Sequence, residues 1–286
     1  MSIPKDVLKI AAFSDGEIGG NPAGVMMAET FPADAEMQRI AAEVGFSETA
    51  FAVSNDPDKG AADWRVRYFS PESEVPFCGH ATIALGAALA QRYGDGSFAL
   101  ALNAANITVE GRRSDELMAA ALQSPATRSA AVPAELLAEA LDLFGYSSAD
   151  LDPRLPSALA HGGADHLVLA LKDRATLAAM SYALDAGRQL MKRAGWVTIL
   201  LAYAETPRLF HTRNPFASGG VYEDPATGAA TAAFAGYLRD IGWPHGGAID
   251  IVQGEDMGMR SHLHAEIPPQ PGSSIRVSGT ARFMPA

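Results

Sequence analysis

The 286-residue sequence contains a single cysteine. One thiol excludes an internal disulfide, a four-cysteine zinc or iron–sulfur centre, and the opposed thiols of a two-base racemase. Positive charge is also scarce, with 22 basic residues against 33 acidic ones and a net charge of -11. Such a balance argues against a surface that neutralises nucleic-acid phosphates or anionic lipid, so small molecules or protein are the expected partners. Apolar runs long enough to span a bilayer, about 18 residues or more, do not occur. The opening MSIPKDVLKIAAFSDGE has no basic segment leading into a long apolar one, and a soluble, cytoplasmic protein is expected. A dinucleotide fingerprint is missing too, because Gly19-Gly20-Asn21-Pro22 lacks the G-x-G-x-x-G spacing. His161, Asp165 and His166, like His262 and His264, match no standard metal-ligand spacing.

What the chain does have is apolar content of 48%, ample for buried cores in one large or two medium domains. Strands are expected at Leu8–Phe13, Ala23–Met27, Ala50–Val53 and Trp64–Phe69, the last from the alternation of Trp64, Val66 and Tyr68 with Arg65 and Arg67. Between them, Met37, Ile40, Ala41 and Val44 line one face of a helix over Pro32–Val44. In the second half, strands are expected at Leu167–Leu171, Val197–Tyr203, Leu209–Thr212, Ile249–Gln253 and Leu263–Ile267. Surface helices fit Pro133–Phe144 and Asp185–Ala194, and Ser124–Pro133 reads as a linker.

Two segments differ from all of these. Gly79–Gln91 and Gly228–Leu238 are apolar on every side, so a helix in either place must be enclosed by protein. Aligned at an offset of 149, Pro76–Leu89 and Pro225–Leu238 agree at Pro, Gly, Ala, Thr, a second Ala and Leu. The offset is close to half the length, which points to two similarly built domains with strands wrapped around one buried helix each. A buried helix presents unpaired N-terminal amides at the opening of its domain, a ready site for an anion. Cys78-Gly79-His80 and Asp224–Gly228 lead into these two ends, and a pocket between the domains for a small carboxylate is expected.

GNPAGV at Gly20–Val25, FSETAF at Phe46–Phe51, RYFSPESEVPFCGHAT at Arg67–Thr82 and YEDPATGAA at Tyr222–Ala230 resemble the signature segments of the phenazine-biosynthesis PhzF-like isomerases. The resemblance covers essentially the whole chain. It implies the diaminopimelate epimerase and proline racemase fold, of class α+β, with two pseudo-symmetric domains, each a curved, mostly antiparallel barrel around a central helix. The expected boundaries are 1–126, completed by a strand at 275–286, and 127–274, with the active site in the cleft between them. The resemblance further implies Glu48 as the acid/base, with His80 and Asp224 beside it, a substrate bound by Gly79, Ala81, Thr227, Gly228 and Ala229, no cofactor, no metal, and a homodimer. Two departures stand out: Ala229 replaces the family's usual substrate-contacting Ser, and Met257–Ser261 reads MGMRS instead of MGRPS.

A carboxylate enclosed beside Phe46 and Phe51 suits a group that takes and then returns a proton. The expected reaction is a cofactor-free proton shift that moves a double bond, with trans-2,3-dihydro-3-hydroxyanthranilate isomerisation as the nearest named activity. The alternatives are an epimerase or racemase of the same fold, which needs a second base, and a non-catalytic ligand-binding protein. Cys78 has no thiol counterpart at the matching start of the second helix, where Ala226 and Thr227 stand, which favours one-base chemistry.

Overall fold

Alternating burial and short turns build a chain of strands whose pairing order repeats. The computed structural model describes residues 7–55, 62–103 and 105–285. By backbone proximity the chain divides into Met1–Gln123 with Ser278–Ala286, and Ser124–Val277.

The first unit runs β1 (Leu8–Ala12), β2 (Asn21–Ala28), α1 (Asp34–Val44), β3 (Thr49–Ser54), β4 (Asp63–Phe69), β5 (Glu74–Val75), α2 (Gly79–Tyr93), β6 (Gly96–Ala101), β7 (Asn106–Ser114) and β8 (Leu117–Gln123), and is completed by the last strand of the chain, β17 (Arg276–Phe283). Antiparallel pairs join β1 to β2, β3 to β4, β6 to β7 and β7 to β8, while β2–β3 and β4–β6 are parallel. Pairing of β17 with both β8 and β1 closes a ring of eight strands. Closure leaves no edge in the ring.

Each parallel pair requires a crossover connection, and the two helices supply them. They differ in how they are buried. In α1 only Met37, Ile40, Ala41 and Val44 are buried, one stripe that packs with Phe51 and Phe69. In α2 every residue from Gly79 to Ala90 is buried, and the helix touches β1, β2, β3, β6, β7 and β8. Small residues make this enclosure possible. At Gly111 on β7 an added Cβ falls 2.2 Å from the carbonyl oxygen of Gly86 on α2, so strand and helix backbones meet there without side chains.

The second unit comprises β9 (Arg128–Ala131), α3 (Ala134–Phe144), β10 (Ala158–His161), β11 (Asp165–Leu171), α4 (Arg174–Ala178), α5 (Leu184–Ala194), β12 (Thr198–Ala204), β13 (Leu209–Phe216), β14 (Val221–Asp224), α6 (Gly228–Asp240), β15 (Ala248–Gln253) and β16 (Ser261–Glu266). From β10 onward its pairing copies that of the first unit from β1. Antiparallel β10–β11 is followed by parallel β11–β12, antiparallel β12–β13 and β13–β14, parallel β13–β15, and antiparallel β15–β16. Helix α6 stands where α2 stands in the copy. It is buried from Ala230 to Arg239 and touches β9, β10, β11 and β16. Outer helices α3 and α5 cover the other face of β11 and β12 through Phe144, Leu190, Met191, Leu169 and Leu201.

One expectation needs correction. The segment Ser124–Pro133 is not simply a linker, because Arg128–Ala131 forms β9 and pairs antiparallel with β10. Two alanines beside an arginine and a serine carry too little apolar alternation to mark a strand. Among the described residues, no helix is long and apolar enough to cross a membrane.

Candidate active site

In the first unit, the end of α1 delivers Phe46, Ser47 and Glu48 to the start of β3. The backbone carbonyl of Glu48 accepts a hydrogen bond from the Gly24 amide at 3.2 Å, which ties the segment to β2. Gly24 permits this approach: a Cβ there would lie 2.6 Å from the Thr49 hydroxyl oxygen and 2.9 Å from its methyl carbon. Phe51 and Phe46 pack with the α1 residues Met37, Ile40, Ala41 and Val44.

The Glu48 side chain turns instead to the start of α2. Its Oε2 lies 3.4 Å from His80 Nε2, with both side chains less than a tenth exposed. Ser47 Oγ stands 3.2 Å from the same nitrogen, and Cys78 Sγ stands 3.3 Å from His80 Nδ1. With a hydrogen on Nε2, the ring can donate to Ser47 Oγ and, through Nδ1, accept from the Cys78 thiol. Glu48 Oε2 receives no hydrogen bond although it is shut away from water. A buried carboxylate oxygen without a donor is costly.

The first turn of α2 is held from below. Thr82 donates through Oγ1 to the Cys78 carbonyl at 2.7 Å and meets the Tyr68 hydroxyl at 2.7 Å. Burial pushes the Tyr68 hydroxyl well above its ordinary range, so it stays protonated. No side chain caps the helix, which leaves the amides of Gly79, His80 and Ala81 directed at the site.

The second unit repeats the plan with different groups. Asp224, buried at the end of β14, accepts a hydrogen bond from the Thr227 hydroxyl at 2.5 Å. Gln253, fully buried at the end of β15, donates through Nε2 to the Asp224 carbonyl at 2.7 Å and to Thr227 Oγ1 at 3.0 Å. Its Oε1 accepts the Thr227 amide at 3.1 Å. Both hydrogens of Thr227 are thus spent inside the protein, and the amides of Gly228 and Ala229 remain at an α6 start that no side chain caps. Ala229 contributes a methyl where a hydroxyl would extend the polar set. Gln253 was not singled out in the sequence, where it is a polar residue ending the apolar strand Ile249–Val252.

A buried polar line approaches Asp224 from the neighbouring strands. His166 Nδ1 meets Thr198 Oγ1 at 2.8 Å, Thr198 donates to Asn214 Oδ1 at 3.3 Å, and Asn214 lies opposite Asp224 in the β13–β14 register. Burial lowers the His166 pKa to about 3, which keeps its ring neutral. One residue either side, Arg213 and Glu223 form a buried two-pronged ion pair at 2.9 and 2.5 Å. The HGGADH residues do not converge. His161 pairs with Asp165 at 2.7 Å on the surface, while His166 is interior.

Residues 10–285 match the model of the phenazine biosynthesis-like protein family, PhzC-PhzF. The trans-2,3-dihydro-3-hydroxyanthranilate isomerase of Pseudomonas aeruginosa is 31% identical over 286 residues, 94% of each chain. A PhzF-family phenazine biosynthesis protein of Bacillus anthracis has a TM-score of 0.82 at 23% identity, with 98% of this chain and 96% of that one covered. A probable proline racemase of Agrobacterium radiobacter K84 shares the fold at a TM-score of 0.67 and 12% identity, covering 97% and 90%. The motif order, the repeated barrel-and-helix plan and these likenesses agree: the chain belongs to the PhzC-PhzF family of phenazine biosynthesis-like isomerases, on the fold it shares with the proline racemases.

Proposed function

We propose that this protein isomerises a small carboxylated, cyclic or amino-acid-like substrate by moving one proton, with Glu48 as the acid/base. The observation that carries the reading is Glu48 Oε2, buried, without a hydrogen bond, and 3.4 Å from His80 Nε2. Glu48 takes a proton from a substrate carbon, the C–H electrons form a new double bond, and the far carbon of the old double bond receives the proton from Glu48. No atom is gained or lost. The His80 ring, its Nε2 3.4 Å from that oxygen, lies against the carboxylate and limits its movement between the two transfers. The uncapped amides of Gly79 and Ala81 suit a substrate carboxylate, as those of Gly228 and Ala229 do at α6. Asp224 acts on this reading through Thr227, whose orientation it fixes at the start of α6. The relative's name supports trans-2,3-dihydro-3-hydroxyanthranilate as the first substrate to try.

The test is deuterium incorporation in D2O with this compound and related amino acids. Wild type is expected to exchange the migrating hydrogen, and Glu48→Gln to slow exchange by about 10²–10⁴-fold, the usual worth of a positioned acid/base. Exchange undiminished in Glu48→Gln removes the assignment. Binding without exchange favours a ligand-binding protein, and inversion at a stereocentre favours an epimerase.

A further inference from the structure

The turn into α2 and the residue before β3 place three different donor types around one point. We infer that Cys78, His80 and Glu48 form a binding site for a thiophilic divalent cation of the zinc type, which acts as an inhibitor by occupying the carboxylate and not as a cofactor the reaction needs. One ligand atom from each of the three residues lies within 4.8 Å of the others. Cys78 Sγ is 3.9 Å from His80 Nε2, and that nitrogen is 3.4 Å from Glu48 Oε2. Tetrahedral zinc with ordinary bond lengths holds such atoms about 3.3–3.6 Å apart, and because Sγ lies nearer Nδ1, at 3.3 Å, the Cys78 side chain must turn to bring its sulfur in front of Nε2.

A second observation points to a ligand. Glu48 is 6% exposed, yet its Oε2 has no hydrogen-bond donor, leaving a buried acceptor oxygen 3.4 Å from the imidazole nitrogen. A cation at the common point satisfies it. A thiolate, an imidazole and a carboxylate together select zinc-like ions over magnesium or calcium, which prefer oxygen alone. Three protein ligands also leave the fourth position open for water or for a substrate group. Binding requires the Cys78 thiol to lose its proton to solvent and Ser47 to give up its 3.2 Å contact with Nε2. The binding claim stands apart from the catalytic reading; only the inhibition rests on Glu48 being the acid/base.

Cobalt(II) reports both the metal and its sulfur ligand. Titration of metal-free protein is expected to give a thiolate-to-cobalt charge-transfer absorption saturating at one equivalent, displaced by zinc, and lost in Cys78→Ala. Cys78→Ser, closer in shape, is also expected to lose the band, and its circular dichroism and thermal unfolding establish that the fold is kept. Glu48→Gln is expected to weaken zinc binding by at least the roughly 10–100-fold that loss of even an outer-shell partner costs. Absence of the band in wild type, or its persistence in Cys78→Ala, overturns the site. A band with deuterium exchange unaffected by bound zinc keeps the site and overturns the inhibition.

Discussion

His166 shows how one interior side chain makes stability depend on pH. Burial holds its folded-state pKa at about 3, against an ordinary value near 6.5. Between these values the unfolded chain binds the proton and the folded chain does not. Stability from this group is therefore complete above about pH 6.5 and falls as the pH drops toward 3, by up to about 1.4 kcal/mol per pH unit. Urea unfolding at steps between pH 7 and 5 is expected to show this slope in wild type. His166→Gln, which keeps an amide for Thr198 and cannot titrate in that range, is expected to show a shallower one. Equal slopes in the two proteins would contradict the account. Individual residues were unevenly legible in the sequence. Glu48, His80 and Asp224 stood out because they sit in recognisable motifs, whereas Gln253 did not, since its three hydrogen bonds reach a segment 26 to 29 residues away.

Among the elements, the central helices were the most readable. An apolar surface all round can be satisfied only by enclosure, and both such segments are enclosed. Strands β6 and β8 escaped notice because alanines dilute their pattern, and β7 because its buried face, Ile107, Val109 and Gly111, ends on a glycine. Strand β14 is too short to show a period. It is held by the Arg213–Glu223 pair, and Arg213 also donates to the Ala178 carbonyl at 2.9 Å. Removing one partner leaves a buried charge without compensation. Glu223→Ala is expected to cost about 3–5 kcal/mol, while replacing Arg213 and Glu223 together by apolar residues of similar volume recovers much of it. Chemical denaturation of both variants measures the difference, and a double variant as unstable as the single one would contradict the mechanism.

On the scale of the whole molecule, the repeat at half-length corresponds to a repeated order of strand pairing, with only a few identities at the helix starts. Packing conserves the order of layers far more than the residues that fill them. Closure of the first barrel by β17 is a separate, long-range feature, set by pairings such as Ile10 with Phe283 and Ala12 with Ala281. Truncation after Ser274 removes that strand and exposes the edges of β1 and β8. The shortened chain is expected to aggregate, because unpaired edges recruit other strands. Recovery of a soluble, cooperatively unfolding protein from that truncation would show that the ring is dispensable.

The same strand gives the molecule a timetable. On the ribosome β1 emerges before the other described strands, yet its partner β17 follows only after nearly the whole of Ser124–Val277. The later segment can therefore finish folding while the earlier one still waits, so the half that is begun first is sealed last. Until β17 arrives, the waiting half carries two open edges, the interval in which a chaperone has most to protect.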